Sequence, residues 1–398
     1  MVERMNKKTP DIRFKGFSDD WEQRKFMDLV KRISTSSDSK TLPKIEFEDI
    51  ISGEGRLNKD VSQKFDDRKG IVFEANNILY GKLRPYLKNW LLPDFKGIAL
   101  GDFWVFETKN NNPNFIYYLV QADKYQKVAN DTSGTKMPRS DWQQVSNTYF
   151  AIPTLEEQKK VGRFLIQLDK TIALHQQKLD LLKQSKKSFL QTLFPKKEKP
   201  VPNIRFSGFD EEWEQRKLGE VSDIIGGGTP STTKKEYWGG NIDWYSPVEI
   251  GNNTYVSGSH NKITEIGLRK SSAKILPKGS VLFTSRAGIG KTAILAREGA
   301  TNQGFQSIVP KKNMLDTYFI FSRSNELKRY GEVTGAGSTF VEVSGKQMSK
   351  MPIFLPSLEE QVKIGLLFKR VDETITLQEQ KIDSLQQMKK SFLQKMFV

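Results

Sequence analysis

From residue 154 to 194, mostly apolar side chains recur in alternating steps of four and three. Val161, Leu165, Leu168, Ile172, His175, Leu179, Leu182, Lys186, Phe189 and Leu193 form one heptad seam. The same spacing returns at Ile364, Phe368, Val371, Ile375, Gln378, Ile382, Leu385, Lys389, Phe392 and Met396. A strict 3.5-residue period is the mark of a helix packed along another helix. Each seam is 33 residues long, or ~48 Å at ~1.5 Å per residue. Two such stripes need partners, and each is the other's nearest one. The seams are polar at matching places, His175 with Gln378 and Lys186 with Lys389. Polar breaks of this kind fix register at some cost in stability. A role for His175 as base or metal ligand is the alternative, and Gln378 in the matching place speaks against it. Both helices open with Pro153 or Pro356, an N-capping Thr154 or Ser357, and Glu157 or Glu360 three residues on. That spacing predicts a capping box.

Outside the seams the apolar runs are short. Ile71 to Leu92, Gly97 to Phe106, Val281 to Phe283, Thr292 to Leu295 and Gln306 to Val309 are rich in β-branched and aromatic residues and broken by Gly, Pro and Asn. They predict short strands and long loops, with helices over Phe115 to Tyr125 and Thr317 to Tyr330.

The chain is a tandem repeat. Pro10 to Lys25 reappears as Pro202 to Lys217, with 11 of 16 positions identical at an offset of 192. Thr154 to Phe194 returns as Ser357 to Phe397, with 22 of 41 identical at an offset of 203. ILYGKL (Ile78 to Leu83) lies over VLFTSR (Val281 to Arg286), already at 203. The extra residues of the second copy therefore fall between Leu218 and Ser280, where IIGGGTPSTTKKEYWGGNIDW has no clear counterpart. Each copy has a matched head, a divergent middle and a matched tail. That arrangement suits one scaffold carrying two specificities. Pro195 to Pro202, rich in Pro and Lys, reads as a linker.

Composition narrows the function. Lys and Arg number 63 against 47 Asp and Glu, a net charge of +16, which points to a polyanionic partner, most commonly nucleic acid. Cysteine is absent and only His175 and His260 are histidines. Disulfides, thiolate nucleophiles and cysteine-ligated zinc are excluded, and a multi-histidine metal site has almost nothing to use. No run of 18 apolar residues and no secretory h-region occurs, so a cytoplasmic protein without membrane contact is expected.

Two local patterns suggest catalysis. SRAGIGKT (Ser285 to Thr292) resembles a phosphate-binding loop, but Ser285 stands where that pattern requires glycine. Asp94, Glu107 and Lys109 resemble a magnesium-dependent nuclease pattern of two carboxylates and a lysine; the second copy lacks it. Basic and polar residues in the middles are the stronger signal. Lys82, Arg84 and Lys88 lie in GKLRPYLKNW, and Lys136 and Arg139 in SGTKMPRSDW. Arg286, Lys291, Ser338 and Thr339 occupy the aligned segments of the second copy. Cations of this kind bind phosphates or guanine edges, and hydroxyls read bases.

Taken together, the tryptophan-bearing heads (Trp21, Trp213), GGGTPST…YWGGNIDW, VLFTSRAGIGKTAI, ILYGKLRPYL, SGTKMPRSDW and the two P-[ST]-L-E-E-Q helix starts resemble the specificity (S) subunits of type I restriction–modification enzymes, the HsdS family. The resemblance covers nearly the whole chain from Pro10. It implies an α+β tandem repeat: two mixed, mostly β target recognition domains (1–153 and 202–356), each followed by a long helix (154–194 and 357–398), with a linker at 195–201. The two helices would pair as an antiparallel coiled coil that acts as a ruler. Each recognition domain would read one half of a bipartite double-stranded DNA target. The subunit would hold no catalytic or metal site and no cofactor. Two methyltransferase (M) subunits with S-adenosylmethionine, and restriction (R) subunits with ATP and Mg, would supply the chemistry. A stand-alone nuclease and a tandem-domain DNA-binding regulator are the other readings. The Gly-rich segment is missing from the first copy, so residue roles do not transfer there.

Overall fold

The computed structural model describes residues 9–131, 136–195, 200–251, 253–286, 288–336 and 342–398. The linker expected at 195–201 lies largely outside them. Two compact units form. One holds the described residues up to Gln177 together with Glu379–Val398; the other is Lys178–Gln378. The two 38-residue helices, Leu155–Thr192 and Leu358–Lys395, each divide between the units near their midpoints. Among the described residues no helix is long and apolar enough to cross a membrane.

Within each unit the N-terminal half of one long helix meets the C-terminal half of the other. In the first unit Phe164 packs edge-on to Phe392 with ring centroids 4.9 Å apart, and Asp169 meets Lys389 at 2.8 Å. In the second, Lys186 meets Asp372 at 2.5 Å, and Phe194 stacks on Phe368. Residue numbers rise on one helix as they fall on the other, so the halves run antiparallel. No seam residue is exposed, whereas the off-seam Leu174, Leu181 and Leu377 are more than 60% exposed. The seam's two lysines are therefore not idle register breaks. Each is neutralised by an aspartate that also accepts a tyrosine hydroxyl: Tyr118 donates to Asp169 at 2.7 Å and Tyr318 to Asp372 at 2.9 Å. Burial, then the adjacent aspartate, push both phenols well above their usual range. They remain donors throughout the physiological range.

The P-[ST]-L-E-E-Q motif explains itself in packing terms. Thr154 and Ser357 do accept from the Glu157 and Glu360 amides, though at 3.5 and 3.4 Å. The return half of the expected capping box does not form. Both oxygens of the buried Glu157 are held by Arg13 at 2.7 and 2.8 Å, and those of Glu360 by Arg205 at 2.8 Å. A bidentate guanidinium is a stronger partner than a backbone amide, and it ties the head of each copy to the start of its long helix. The following glutamine ties down the N-cap of an earlier helix: Gln158 accepts from the Asn112 amide and Gln361 from the Asp316 amide. Gly162 and Gly365 let this contact close. A Cβ on Gly162 would stand 2.7 Å from Asn112 Oδ1, and one on Gly365 2.5 Å from Asp316 Oδ1.

The heads pair with the strands that precede the long helices, Glu22–Lys25 with Tyr149–Ile152 and Glu214–Lys217 with Pro352–Leu355, both antiparallel. Trp21 then packs on Phe115, which meets Phe397; Trp213 packs on Phe319, which meets Phe194. Truncating such a buried ring typically costs ~3–5 kcal/mol. The strand expectations hold at Val281–Phe283 and Thr292–Leu295, with Gln306–Pro310 beside them. The helices expected over Phe115 to Tyr125 and Thr317 to Tyr330 are each broken in two, as Pro113–Leu119 and Asp123–Ala129, and as Thr317–Ser322 and Ser324–Gly335. In the first break Ala122 is extended and the Gln126 side chain donates to the Val120 carbonyl, replacing a helical bond. In the second, the buried Arg323 turns to the Phe354 carbonyl and Glu326.

The middles share a frame and differ in one insertion. Lys44–Ile45 runs parallel to Gly97–Ala99, as Trp244–Tyr245 does to Ala300–Thr301. The offset there is already about 200, so most of the second copy's extra length lies in the Gly-rich stretch before Trp244. That stretch folds as packing. A Cβ on Gly227 would stand 1.9 Å from the Asn302 carbonyl oxygen, and Trp244 Nε1 donates to the Gly228 carbonyl.

Candidate nucleic-acid interface

In the first unit, Ile78–Gly81 and Trp90–Leu91 form a buried antiparallel hairpin. Its tip, Lys82 to Lys88, leaves the sheet. The Arg84 amide donates to the Pro138 carbonyl at 2.7 Å, and the Ser140 amide to the Lys82 carbonyl at 2.8 Å. Leu83 thus bridges to Arg139. This pairing brings Lys82, Arg84 and Arg139 together, with Lys136 three residues before Arg139. Asp102 sorts the group. It pairs with Arg139 at 2.9 Å and, more loosely, with Lys82 at 3.6 Å. Arg84, Lys88 and Lys136 are exposed and make no side-chain ion pair among the described residues. They remain available to an external anion.

Arg84 and Lys88 both have left-handed backbone, at φ of 50° and 53°. Non-glycine residues rarely adopt it, at ~1–3 kcal/mol each. Between them Pro85–Leu87 makes one 3-10 turn. The conformation is imposed from outside: Ser52 Oγ donates to the Leu87 carbonyl at 2.5 Å and the Gly53 amide to the Lys88 carbonyl at 3.0 Å. Tyr86 stands at the tip, 56% exposed, beside Leu87. Sequence reasoning passed over Tyr86 and Asp102. An aromatic bracketed by cations in RPYLK was the available signal for the first; no local pattern announced the second.

The second unit repeats the construction. Val281–Phe283 pairs with Thr292–Leu295, and Arg286 bridges to Glu342, the pair that stands 203 residues after Leu83 and Arg139. The Val343 amide donates to the Ser285 carbonyl at 3.0 Å. Arg286 is half-buried and Lys291 exposed; neither has a side-chain ion pair among the described residues. Ser338 and Thr339 lie outside the described residues, just before Glu342. Here the positive φ values fall on Gly288 and Gly290, and Ile289 at the tip is buried.

This hairpin disposes of the phosphate-loop resemblance. Such a loop must lead into a helix whose amides face the phosphates. SRAGIGKT leads instead into the strand Thr292–Leu295, and Thr284 Oγ1 bonds the loop to itself through the Gly288 carbonyl and the Lys291 amide. The nuclease pattern does not assemble either. Glu107 pairs with Lys31, Lys109 Nζ donates to the Met27 carbonyl, and Asp94 stands exposed on another loop. Among the described residues no three His, Asp or Glu side chains are grouped to hold a metal.

Two like hairpins with unlike tips stand on one duplicated frame. The model of the type I restriction modification DNA specificity domain matches residues 18–184 and again 210–387, and the chain belongs to that family. It is 38% identical over 168 residues to the type I restriction enzyme MjaIX specificity subunit of Methanocaldococcus jannaschii, covering 42% of this chain and 39% of that one. Over 177 residues it is 30% identical to the EcoR124I/EcoR124II specificity subunit of Escherichia coli, 42% of this chain and 43% of that one. The chain thus spans about two fifths of the length of these relatives. A longer match, 21% identical, covers 85% of this chain and 90% of the HindI specificity subunit of Haemophilus influenzae. The fold is that of a type I restriction–modification S subunit solved from M. genitalium, with a TM-score of 0.65, 13% identity, and coverage of 98% and 99%.

Proposed function

We propose that this chain is the DNA-specificity subunit of a type I restriction–modification complex. Each unit reads one half of a bipartite duplex target, in the cytoplasm, and the chain itself carries no catalytic group. Methylation with S-adenosylmethionine falls to two M subunits. ATP- and magnesium-dependent translocation and cleavage fall to R subunits. The supporting observation is the shared bridge, Leu83 to Arg139 and Arg286 to Glu342, which offers two different side-chain sets from one register. Arg84, Lys88, Lys136, Arg286 and Lys291 face phosphates or base edges; Lys82 and Arg139, which share Asp102, position the tip. The seam residues Leu165, Leu168, Ile172, Leu179 and Leu182, with Phe368, Val371, Ile375, Ile382 and Leu385, serve helix pairing, and Leu165 and Phe368 also enter the cores of their units. Co-expression with the M subunits, followed by sequencing of methylated adenines, tests the reading. The expected product is one bipartite motif with an unspecified spacer. Methylation without a two-part motif, or none, would contradict it.

A further inference from the structure

The tip of the first hairpin holds a feature that base reading by hydrogen bonds does not need. Tyr86 and Leu87 expose apolar surface at the end of a short, braced turn. Arg84 and Lys88, both exposed and unpaired among the described residues, stand on either side. A surface meant for a protein partner would expose the apolar pair without needing two free cations. A phosphate clamp would need the cations without the ring. The two together match duplex DNA entered by a wedge, where apolar side chains part a base step and flanking cations hold its phosphates.

The bracing fits that use. A wedge must not fold back when it meets a stacked base pair. Hydrogen bonds from Ser52 and Gly53 on one side and to Pro138 on the other fix this turn, with left-handed backbone at two residues that carry long side chains. The matching turn of the second unit offers a contrast inside the same molecule. It meets the same backbone demand with glycines and buries Ile289 against Phe283 and Gly331. Among its described residues that turn exposes no large apolar side chain.

We infer that the Arg84–Lys88 turn inserts Tyr86, backed by Leu87, at one base step of the DNA half-site read by the first unit, and that the second unit distorts its half-site at no corresponding step. The inference rests on the DNA-specificity reading above and adds a mechanical asymmetry to it.

The test uses the complex with its M subunits and its sequenced target, with 2-aminopurine substituted in turn at each adenine of both half-sites other than the methylated ones, which the M subunits flip out of the stack, and at positions flanking the half-sites. Wild-type complex should raise the probe's fluorescence at one step in the first unit's half-site and at none in the other. Tyr86→Ala should abolish the rise and weaken specific binding about 5- to 150-fold, the range of a lost stacking contact. Tyr86→Phe should keep both. Arg84→Gly and Lys88→Gly retain a backbone that tolerates positive φ. They should fold at least as stably as wild type and each reduce the salt slope of binding by about one. Specific binding with no fluorescence change near the first half-site, or a Tyr86→Ala complex that behaves as wild type, would overturn the wedge and leave the specificity reading intact. A wild-type complex with no sequence-specific binding would overturn both.

Discussion

Leu83 faces Arg139 in the first unit, and Arg286 faces Glu342 at the same register in the second. Around them the frame is conserved to the contact: Trp21 and Trp213 on equivalent phenylalanines, Arg13 and Arg205 on equivalent glutamates, Asp169 and Asp372 on equivalent lysines. The tips differ in charge, in exposure and in how they hold positive φ. The lesson is a division of labour within each repeat. Buried polar clamps hold the frame alike in both units, and the side chains at the tips differ. Loops on a rigid frame are where recognition residues sit.

That division is sharpened or broken by four measurements. The largest effect concerns what the tips share. Free cations on both predict that duplex DNA affinity falls ~10³–10⁵-fold between 50 and 200 mM salt, if ~6–10 phosphates are neutralised. Fluorescence anisotropy checks it, and a flat response would remove the electrostatic premise. Next comes the frame. Arg13→Ala leaves Glu157 buried without its partner, a change that typically costs ~3–5 kcal/mol. Arg205→Ala should cost the same, because Glu360 is equally buried. Urea unfolding of the two variants measures both. Unequal losses would mean that the two frames are not energetically equivalent.

Much of this frame is legible in the sequence, because it is periodic or repeated. The heptad seam predicts both long helices, and the offset of 203 aligns the segments whose strands open the two hairpins. The clamps are not legible. Arg13 and Glu157 are 144 residues apart, and no local rule says that the glutamate of an apparent capping box will leave its helix for a distant guanidinium. The broken helices have the same cause: tertiary hydrogen bonds from Gln126 and Arg323 outweigh local propensity. At the site, residue type singled out the cations, but only the fold shows that Asp102 pairs with two of them, while three make no ion pair among the described residues.

A smaller effect distinguishes how the two middles are held. In the first, hydrogen bonds from Arg68 and Lys64 hold Glu46 below the usual carboxylate range. In the second, burial pushes Asp243 up, but Arg297 and the Ser259 amide outweigh it, and the net displacement is downward. A depressed folded pKa adds stability above the unfolded value, ~3.9–4.3, and loses it as pH falls through the folded value. Both middles should therefore weaken only below about pH 4. Asp243→Asn should flatten the acid response of the second alone, seen as hydrogen-exchange protection of the 238–263 segment from pH 5 to 2.5.

The central claim is that each tip reads its own half of the target, and truncating the tips' side chains tests it directly. Arg84→Ala with Lys136→Ala, and separately Arg286→Ala with Lys291→Ala, would be expressed with the M subunits and their methylated sites sequenced. Each lost base contact should relax discrimination by ~1–3 kcal/mol at its position. The account predicts that the first pair degrades one half-sequence and the second pair the other, with the untouched half unchanged. Equal degradation of both halves by either pair would contradict it.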